Sequence, residues 1–256
     1  MASVVAITNQ KGGVGKTTTA VNLAASLAVA EQRVLLLDMD AQGNATSGVG
    51  LSPRQEQLGT YDVMVGRAHI REAAKQTALP YLSILPSSTD LAAVEIEFVD
   101  LEDRANRLKN AIDAVRDDYD FVLIDCPPSL GLLTINALTA SHSVLVPMQC
   151  EYYALEGISH LMNTIERVRV SLNPSLYVHG VLLTMYDPRS NLANQVAGEL
   201  RQHFHVYETV IPRNIRLAEA PSHGKPVILY DAGSKGSQGY LNLAREILDR
   251  LPEAAA

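Results

Sequence analysis

The chain has 256 residues, of which 47% are hydrophobic, and a formal net charge of −7 at pH 7. This length and apolar content fit one large α/β domain, expected at residues 1–252 with a flexible tail at 253–256. Two cysteines make no disulfide framework, no apolar run reaches the roughly 20 residues of a membrane span, and the acidic balance excludes a strongly basic nucleic-acid-binding domain.

Apolar, β-branched runs alternate with segments of helical periodicity along most of the chain. Continuously apolar runs are typical of parallel strands buried on both faces, and the alternation indicates helical crossovers between them. The sequence therefore predicts an α/β fold with a mostly parallel, twisted sheet of seven or eight strands and helices on both faces. The predicted strands are 4–7, 34–37, 82–85, 121–124, 144–146, 178–183 and 206–211. The predicted helices are 17–30, 91–115, 133–140, 155–170, 191–203 and 238–251.

The first predicted strand runs into a glycine-rich turn, Lys11-Gly12-Gly13-Val14-Gly15-Lys16-Thr17-Thr18, that opens the first predicted helix. Glycines let several backbone N–H groups converge on one anion, and the start of the helix adds a partial positive charge at the same place. Lys16 would contact the β- and γ-phosphates of a nucleotide, and the Thr17 hydroxyl would ligate Mg²⁺. The sequence therefore predicts a P-loop NTPase.

This turn departs from the usual P-loop pattern G-x-x-x-x-G-K-[ST]. The first glycine of that pattern would fall at position 10, which is Gln10, and a second lysine, Lys11, follows it. One lysine is enough to clamp phosphates within a subunit. Lys11 is therefore either a solvated loop charge or a group that reaches a nucleotide held by another subunit.

The second predicted strand leads into Asp38-Met39-Asp40-Ala41-Gln42-Gly43-Asn44. Side chains two residues apart on a strand lie on the same side of the chain, so Asp38 and Asp40 would face one site. Next to a P-loop, two carboxylates suit water activation or indirect contact to Mg²⁺, although an ordinary surface turn has the same composition.

The fourth predicted strand, Phe121-Val122-Leu123-Ile124, ends at Asp125 and continues as Cys126-Pro127-Pro128. A dry strand that delivers one carboxylate beside a metal is the Walker B arrangement of P-loop proteins. The two prolines exclude helix directly after it, which suits a switch that senses the γ-phosphate and equally a rigid turn.

Together these segments resemble the ParA/MinD group of ATPases, and most of the chain is similar to the ParA (Soj) chromosome- and plasmid-partitioning members. The similarity covers Lys11–Thr18, Asp38–Gly43, the strand that ends at Asp125, Thr184–Arg189 and Ile211–Lys225. It implies ATP and Mg²⁺ as cofactors, slow intrinsic ATP hydrolysis, and the P-loop fold expected above.

The resemblance also assigns roles to individual residues. It implies catalytic roles for Lys11, Lys16 and Asp40, with Lys11 crossing a dimer interface and Asp40 positioning the attacking water. Asp38 would support the loop, and Mg²⁺ would be held by Thr17 and, through water, by Asp125. The nucleotide-binding residues that it implies are Lys11, Gly12, Gly13, Val14, Gly15, Lys16, Thr17, Thr18, Pro212 and Asn214, the last two against the adenine.

The partners implied by the resemblance are a second copy of the chain when ATP is bound, double-stranded DNA without sequence preference, and a ParB-like (Spo0J-like) protein that stimulates turnover. Arg189 and Arg216 match DNA-contacting positions of the family, and Lys225 is a looser candidate. The charge distribution is compatible with DNA contacts in the C-terminal segment, since the net charge is −8 over residues 1–188 and +1 over residues 189–256. The expected location is cytoplasmic and nucleoid-associated, with no membrane partner.

Three other functions remain open from the residues alone. A cargo-positioning relative would share the ATP cycle and the DNA binding and differ in its partner. A MinD-like membrane ATPase would need a basic amphipathic C-terminal helix, whereas the charges of Leu241–Leu251 are balanced. An iron–sulfur relative of nitrogenase reductase would need ligand cysteines in glycine-rich loops, which neither Cys126 nor Cys150 occupies.

Overall fold

The computed structural model, which describes residues 2–54, 57–151 and 154–250, is built around an eight-stranded sheet. The strands are β1 (Ser3–Ile7), β2 (Val34–Asp38), β3 (Lys75–Gln76), β4 (Leu82–Leu85), β5 (Phe121–Asp125), β6 (Ser143–Gln149), β7 (Tyr177–Tyr186) and β8 (Ile211–Pro212). Their order is β3-β4-β2-β5-β1-β6-β7-β8, with β3 antiparallel to β4 and the other paired strands parallel. This confirms the predicted mostly parallel sheet, while the expected tail at 253–256 lies outside the described residues.

Helices cover both faces of the sheet. They are α1 (Lys16–Val29), α2 (Asn44–Gly48), α3 (Thr60–Met64), α4 (Ile70–Ala73), α5 (Val94–Glu97), α6 (Arg107–Asp113), α7 (Leu132–Ala140), α8 (Ala154–Ser171), α9 (Asn191–His203), α10 (Ile215–Glu219), α11 (Val227–Tyr230) and α12 (Lys235–Leu248). Short 3-10 helices run over Thr89–Ala93 and Ala220–His223. Among the described residues, no helix combines the length and apolar character needed to cross a membrane.

The sheet has two separate hydrophobic cores because successive side chains of a strand point to opposite faces. On β1, Val4 and Ala6 pack with α7, α8 and α9, whereas Val5 and Ile7 pack with α1 and α12. Every residue of β2 and β5 is buried. The continuous apolar runs of the sequence are therefore explained by a sheet that is covered on both sides.

Most predicted elements agree with the observed bounds to within three residues. The predicted helix 91–115 is wrong, because the chain there forms a 3-10 turn and the short helices α5 and α6. The side chain of Asn136 explains the break, since it accepts from Leu108 N–H at 3.3 Å and donates to the Arg104 carbonyl at 2.7 Å. The tertiary structure thus satisfies backbone groups that a continuous helix would have paired.

The predicted strand 206–211 is also mostly wrong. Val206 makes a single bridge to Val181, and regular pairing begins only at Ile211. Between them, the Glu246 carboxylate accepts the backbone N–H groups of Glu208 and Thr209, each at 3.0 Å. A side chain of α12 thus takes the place of a neighbouring strand.

Candidate functional site

The carboxyl ends of β1, β2 and β5 meet at one level of the sheet. In the parallel register, Asp125 pairs with Ile7 on one side and with Asp38 on the other. The loop that follows β1 therefore lies directly beside the two aspartates that end β2 and β5. This is the edge at which open α/β sheets bind ligands.

The glycine-rich loop has the conformation that an anion site requires. Gly13 and Gly15 have φ of 75° and 87°, in the left-handed region that favours glycine. Gly15 caps α1 without a side-chain hydrogen bond, so the first N–H groups of this helix are left for a ligand. The loop can thus surround a phosphate with backbone donors.

Lys16 folds back over this loop. Its side chain is almost fully buried, and Nζ donates to the Lys11 carbonyl at 3.0 Å. Burial lowers the pKa of Lys16, while the nearby Asp125 carboxylate opposes that shift. An ammonium group held in this way offers a concentrated positive charge to the space above the loop.

Two polar residues that the sequence analysis did not single out fix the loop in place. Asn9 donates to the Pro147 carbonyl at 2.9 Å and accepts from Lys11 N–H at 3.0 Å. Thr184, at the end of β7, donates to the Val14 carbonyl at 2.8 Å. The ends of β6 and β7 therefore hold the loop from outside the sequence motif. Asn9 lies two residues beyond β1, and Thr184 begins one of the segments similar to the family, but neither position by itself indicated this role.

The side chain of Lys11 lies at the surface and forms an ion pair with Glu151 of the same chain. Gly12 and Gly13 beside it are exposed, and a Cβ added at either position would meet nothing within 4 Å. Steric space within the subunit therefore does not require glycine at either position, although the positive φ of Gly13 favours it there. Contact of Lys11 with a second subunit stays a prediction.

Asp38 is completely buried and anchors the loop after β2. Its Oδ2 accepts from the N–H and the hydroxyl of Thr46, at 2.8 and 2.7 Å, which ties β2 to α2. Burial raises the pKa of Asp38 to about 6, although these hydrogen bonds oppose the shift. This placement agrees with the predicted supporting role.

Asp125 is equally buried, yet among the described residues neither of its carboxylate oxygens has a hydrogen-bond partner. Burial and then the charge of Asp38 raise its pKa well above the usual range, and the nearby Thr17 hydroxyl and Lys16 ammonium oppose the rise. A buried carboxylate without a partner is costly unless a cation binds it. Carboxylate and hydroxyl oxygens are hard ligands, so the pair formed by Asp125 and Thr17 fits Mg²⁺.

Asp40 is half-buried and lies two residues beyond Asp38. Its Oδ1 accepts from Gln42 N–H at 3.0 Å, and its own carbonyl accepts from Gly43 N–H at 2.9 Å. The carboxylate is thus held by its own turn, which leaves Oδ2 for another group. The catalytic role expected of Asp40 stays a prediction.

The predicted base-contacting residues lie in β8 and at the start of α10. Pro212 is half-buried in β8 opposite Tyr186, and Asn214 caps α10 by accepting from Arg216 N–H at 3.0 Å. Since its side-chain oxygen makes this cap, the amide NH₂ of Asn214 is the group left to donate to a ligand.

The predicted DNA-contacting residues are all exposed, but two of them already have carboxylate partners. Arg189 makes a two-point contact to Asp187, and Arg216 bridges Glu219 at 2.8 Å and Asp231 at 3.2 Å. Both arginines would have to share or exchange these partners to contact phosphate. Their contact with DNA stays a prediction, as does that of Lys225.

Comparison with known proteins gives consistent similarities. Residues 2–178 match a family model described as an AAA domain. The chain is 56% identical over 249 residues to the sporulation initiation inhibitor protein Soj of Bacillus subtilis, covering 96% of this chain and 98% of that protein. It is 55% identical over 251 residues to the chromosome partitioning protein ParA of Caulobacter vibrioides, covering 96% and 94%.

A solved structure shares the fold as well. This is the structure of cobyrinic acid a,c-diamide synthase from Mycobacterium smegmatis with bound ADP and magnesium. The similarity has a TM-score of 0.85 and 35% identity, and it covers 97% of this chain and 94% of that one. The sequence identity is thus higher to the two partitioning proteins than to this structure.

Proposed function

The chain belongs to the AAA-domain family and, within it, to the ParA/Soj chromosome-partitioning proteins, and on that premise we propose that it is an ATPase of chromosome segregation. The observation that carries the proposal is the buried Asp125 carboxylate, without a hydrogen-bond partner among the described residues and next to Thr17 and Lys16. This arrangement gains stability when a cation and a polyphosphate bind above the loop.

ATP is the proposed nucleotide, with Mg²⁺ as the companion ion. The backbone of residues 11–18 would surround the phosphates, and Lys16 would contact the β- and γ-phosphates. Thr17 and, through water, Asp125 would hold Mg²⁺, which when bound offsets the negative charge of the phosphates. The M. smegmatis structure with bound ADP and magnesium supports this assignment.

Asp40 is proposed to orient the attacking water. Its backbone contacts fix the turn, and Oδ2 makes no hydrogen bond among the described residues, so the carboxylate can accept a hydrogen bond from water. A carboxylate that only orients water is a weak catalyst by itself. Slow intrinsic turnover, accelerated by a ParB-like (Spo0J-like) partner, is therefore part of the proposal.

ATP binding is proposed to drive a sandwich dimer. Lys11 would leave Glu151 and contact the phosphates held by the second subunit, where a triphosphate offers more negative charge than one carboxylate. The bare backbone at Gly12 and Gly13 allows close approach of the two loops.

The dimer would bind double-stranded DNA through phosphate contacts from Arg189, Arg216 and Lys225 of both subunits. Such contacts carry no sequence information and weaken strongly with salt. Two faces held together bind with greater avidity than one, so hydrolysis that separates the subunits would release the DNA. The proposed location is cytoplasmic and nucleoid-associated.

One alternative is made less favourable by the structure. A MinD-like membrane anchor would need the apolar face of the C-terminal helix, but the buried residues of α12 pack against α1 in the core. A cargo-positioning relative stays open, because it would use the same nucleotide and DNA sites with another partner protein.

The proposal is tested by light scattering with size separation in Mg·ATP and in Mg·ADP. The wild-type chain should dimerise only with ATP, whereas Lys11→Ala should bind ATP and stay monomeric. Gly12→Val should also stay monomeric while keeping the wild-type melting temperature, since the site is open in the single subunit. Lys109→Ala, at an exposed lysine of α6, serves as the matched control and should dimerise normally.

The same proteins should then be assayed for ATP hydrolysis with ATP alone, with DNA, and with DNA plus the product of the adjacent reading frame. Only the last mixture should raise the rate strongly. A wild-type chain that stays monomeric in ATP, or a Gly12→Val chain that dimerises normally, would contradict the proposed cycle.

A further inference from the structure

The start of α7 is capped by a carboxylate from another element. Gly131, which precedes α7, has no side chain to offer, so the first N–H groups of this helix lack a partner from its own cap. The carboxylate of Glu95, in α5, accepts from Leu132 N–H at 3.1 Å and from Leu133 N–H at 3.4 Å. A Cβ added at Gly131 would lie 2.4 Å from an oxygen of Glu95, so the close approach of this carboxylate requires glycine there.

Helix α7 is joined to Asp125 by a short, stiff segment. Residues 126–131 separate the two, and two successive prolines restrict the backbone of this segment. The hydroxyl of Thr134, in α7, donates to the Ser129 carbonyl at 2.6 Å and so ties the segment back to the helix. A shift of α7 would therefore move the segment that follows the carboxylate expected to hold Mg²⁺.

Helix α5 is also linked to the loop that follows β2. The hydroxyl of Tyr61, in α3, donates to the Glu97 carboxylate, at 2.9 and 3.1 Å from its two oxygens. The hydroxyl of Thr60, the residue before Tyr61, donates to the Asp38 carbonyl at 2.8 Å. Because Asp38 ends β2 two residues before Asp40, Glu97 is connected through α3 to the turn that carries the proposed water-orienting carboxylate.

Helix α5 is itself anchored in the hydrophobic core. Val94 and Phe98 are buried there, whereas Glu95 and Glu97 are exposed. The two glutamates therefore extend from one fixed element to two loops that follow different strands. These are the loops that carry Asp40 and continue from Asp125.

We propose that α5 holds the loops after β2 and β5 in fixed relative positions during ATP hydrolysis, with Glu95 and Glu97 as positioning residues. The inference rests on ATP hydrolysis as the proposed function and adds residues that act through α7 and α3. Small displacements of groups that face a reacting phosphate lower the reaction rate more than they lower ground-state affinity. Loss of either contact should therefore reduce turnover and leave nucleotide binding intact.

The test measures the dissociation constant of Mg·ATP by calorimetry, the hydrolysis rate at saturating Mg·ATP, and the melting temperature. Glu95→Ala uncaps α7, and Tyr61→Phe removes only the hydroxyl that Glu97 accepts from. Each should lower the hydrolysis rate about three- to ten-fold and keep the dissociation constant within about two-fold of wild type. Glu95→Gln keeps an oxygen acceptor on a side chain of the same length and should recover most of the rate.

The double variant Tyr61→Phe/Glu95→Ala tests whether the two contacts act together. If α5 couples the loops, the double variant should be about as slow as the slower single variant, because residues that act as a unit are not additive. Fully multiplied rate losses in the double variant would mean two independent contacts and would overturn the inference. An unchanged rate in Glu95→Ala, or an equal weakening of Mg·ATP binding, would overturn it as well.

Glu246→Ala is the matched control, since Glu246 also accepts two successive backbone N–H groups, those of Glu208 and Thr209. It should lower the melting temperature and leave the hydrolysis rate unchanged. A rate loss equal to that of Glu95→Ala would mean that reduced stability alone explains both, against the inference. Absence of ATP hydrolysis by the wild-type chain would instead overturn the proposed function itself.

Discussion

Asp120 directly precedes β5 and Asp125 ends it, and the two carboxylates differ in burial and in hydrogen bonding. Asp120, at the amino end, accepts from the backbone N–H and the guanidinium of Arg33 at 2.7 to 3.1 Å. The hydrogen bonds from Arg33 lower its pKa. Asp125, at the carboxyl end, is fully buried and lacks a hydrogen-bond partner among the described residues, and burial raises its pKa.

The same contrast extends along the two edges of the sheet. At the amino edge, Arg71 pairs with Asp118 at 2.7 Å and lowers the pKa of that carboxyl. At the carboxyl edge, Asp38 and Asp125 both have raised pKa values, and Lys16 has a lowered one. Aspartates at the amino edge are thus paired with arginines, whereas burial shifts the pKa values at the carboxyl edge, where Asp125 has no hydrogen-bond partner among the described residues.

The largest expected difference between the edges is in ligand affinity. Lys16→Ala removes the buried cation at the carboxyl edge and should weaken ATP binding by about 100-fold or more, equivalent to about 3 kcal/mol. Arg33→Ala removes a cation at the amino edge and should leave ATP affinity unchanged. Calorimetric titration with Mg·ATP measures the affinity of each variant. Similar affinities would contradict the proposed difference between the two edges of the sheet.

A second difference is in stability, where the same substitution should have opposite effects at the two ends of β5. At pH 8, Asp125→Asn should stabilise the ligand-free protein by about 1–3 kcal/mol, because it removes a buried carboxylate that has no hydrogen-bond partner among the described residues. Asp120→Asn should destabilise it by up to about 1 kcal/mol, since a partly exposed ion pair is lost. Each kcal/mol corresponds to about 2–4 °C in Tm for a chain of this size.

The pH dependence of these two effects separates them further. A raised carboxyl pKa contributes most stability below about pH 4 and loses it as the pH rises, so the advantage of Asp125→Asn should grow between about pH 4 and pH 8. A lowered pKa contributes stability above about pH 4 and loses it on acidification, so the defect of Asp120→Asn should shrink as the pH falls below about 4. If the Tm differences of the two variants from wild type change with pH in the same direction, the opposite pKa shifts of Asp125 and Asp120 are wrong.

A further difference is in the pH dependence of Mg·ATP affinity. Asp125 must release its proton before it can face a cation, so affinity should rise with pH by up to about tenfold per unit below its pKa. At alkaline pH, affinity should fall again as Lys16, with its lowered pKa, loses its proton. In Asp125→Asn only the nucleotide and the other protein groups still titrate. If its Mg·ATP affinity rises with pH as in wild type, the rise is not due to Asp125.

The sequence was sufficient to predict the alternating α/β layout and the loop at 11–18. Apolar periodicity and the glycine pattern are local signals, and strands such as Phe121–Asp125 carry them fully. The sequence also placed Asp38 and Asp125 each at the end of a predicted strand, and the parallel register of the structure brings the two side by side.

Other features depend on contacts between distant segments and leave no local signal. The break in the predicted helix 91–115 depends on Asn136, and the loss of the strand at 206–211 depends on Glu246, both far away in the chain. The brace from Thr184 to Val14 joins residues 170 positions apart. A β-bulge at Met185 of β7 is likewise set by pairing with β8 and not by the residue type.

The open space around Gly12 makes this position suitable for spectroscopy. The Cβ of a cysteine introduced there would meet nothing within 4 Å, and this exposed position can carry a nitroxide or a fluorophore. Cys126 is buried and Cys150 is half-buried, so the introduced thiol would react with the label first. Immobilisation of the label would then report directly on whatever covers the loop, without any measurement of mass or of phosphate release.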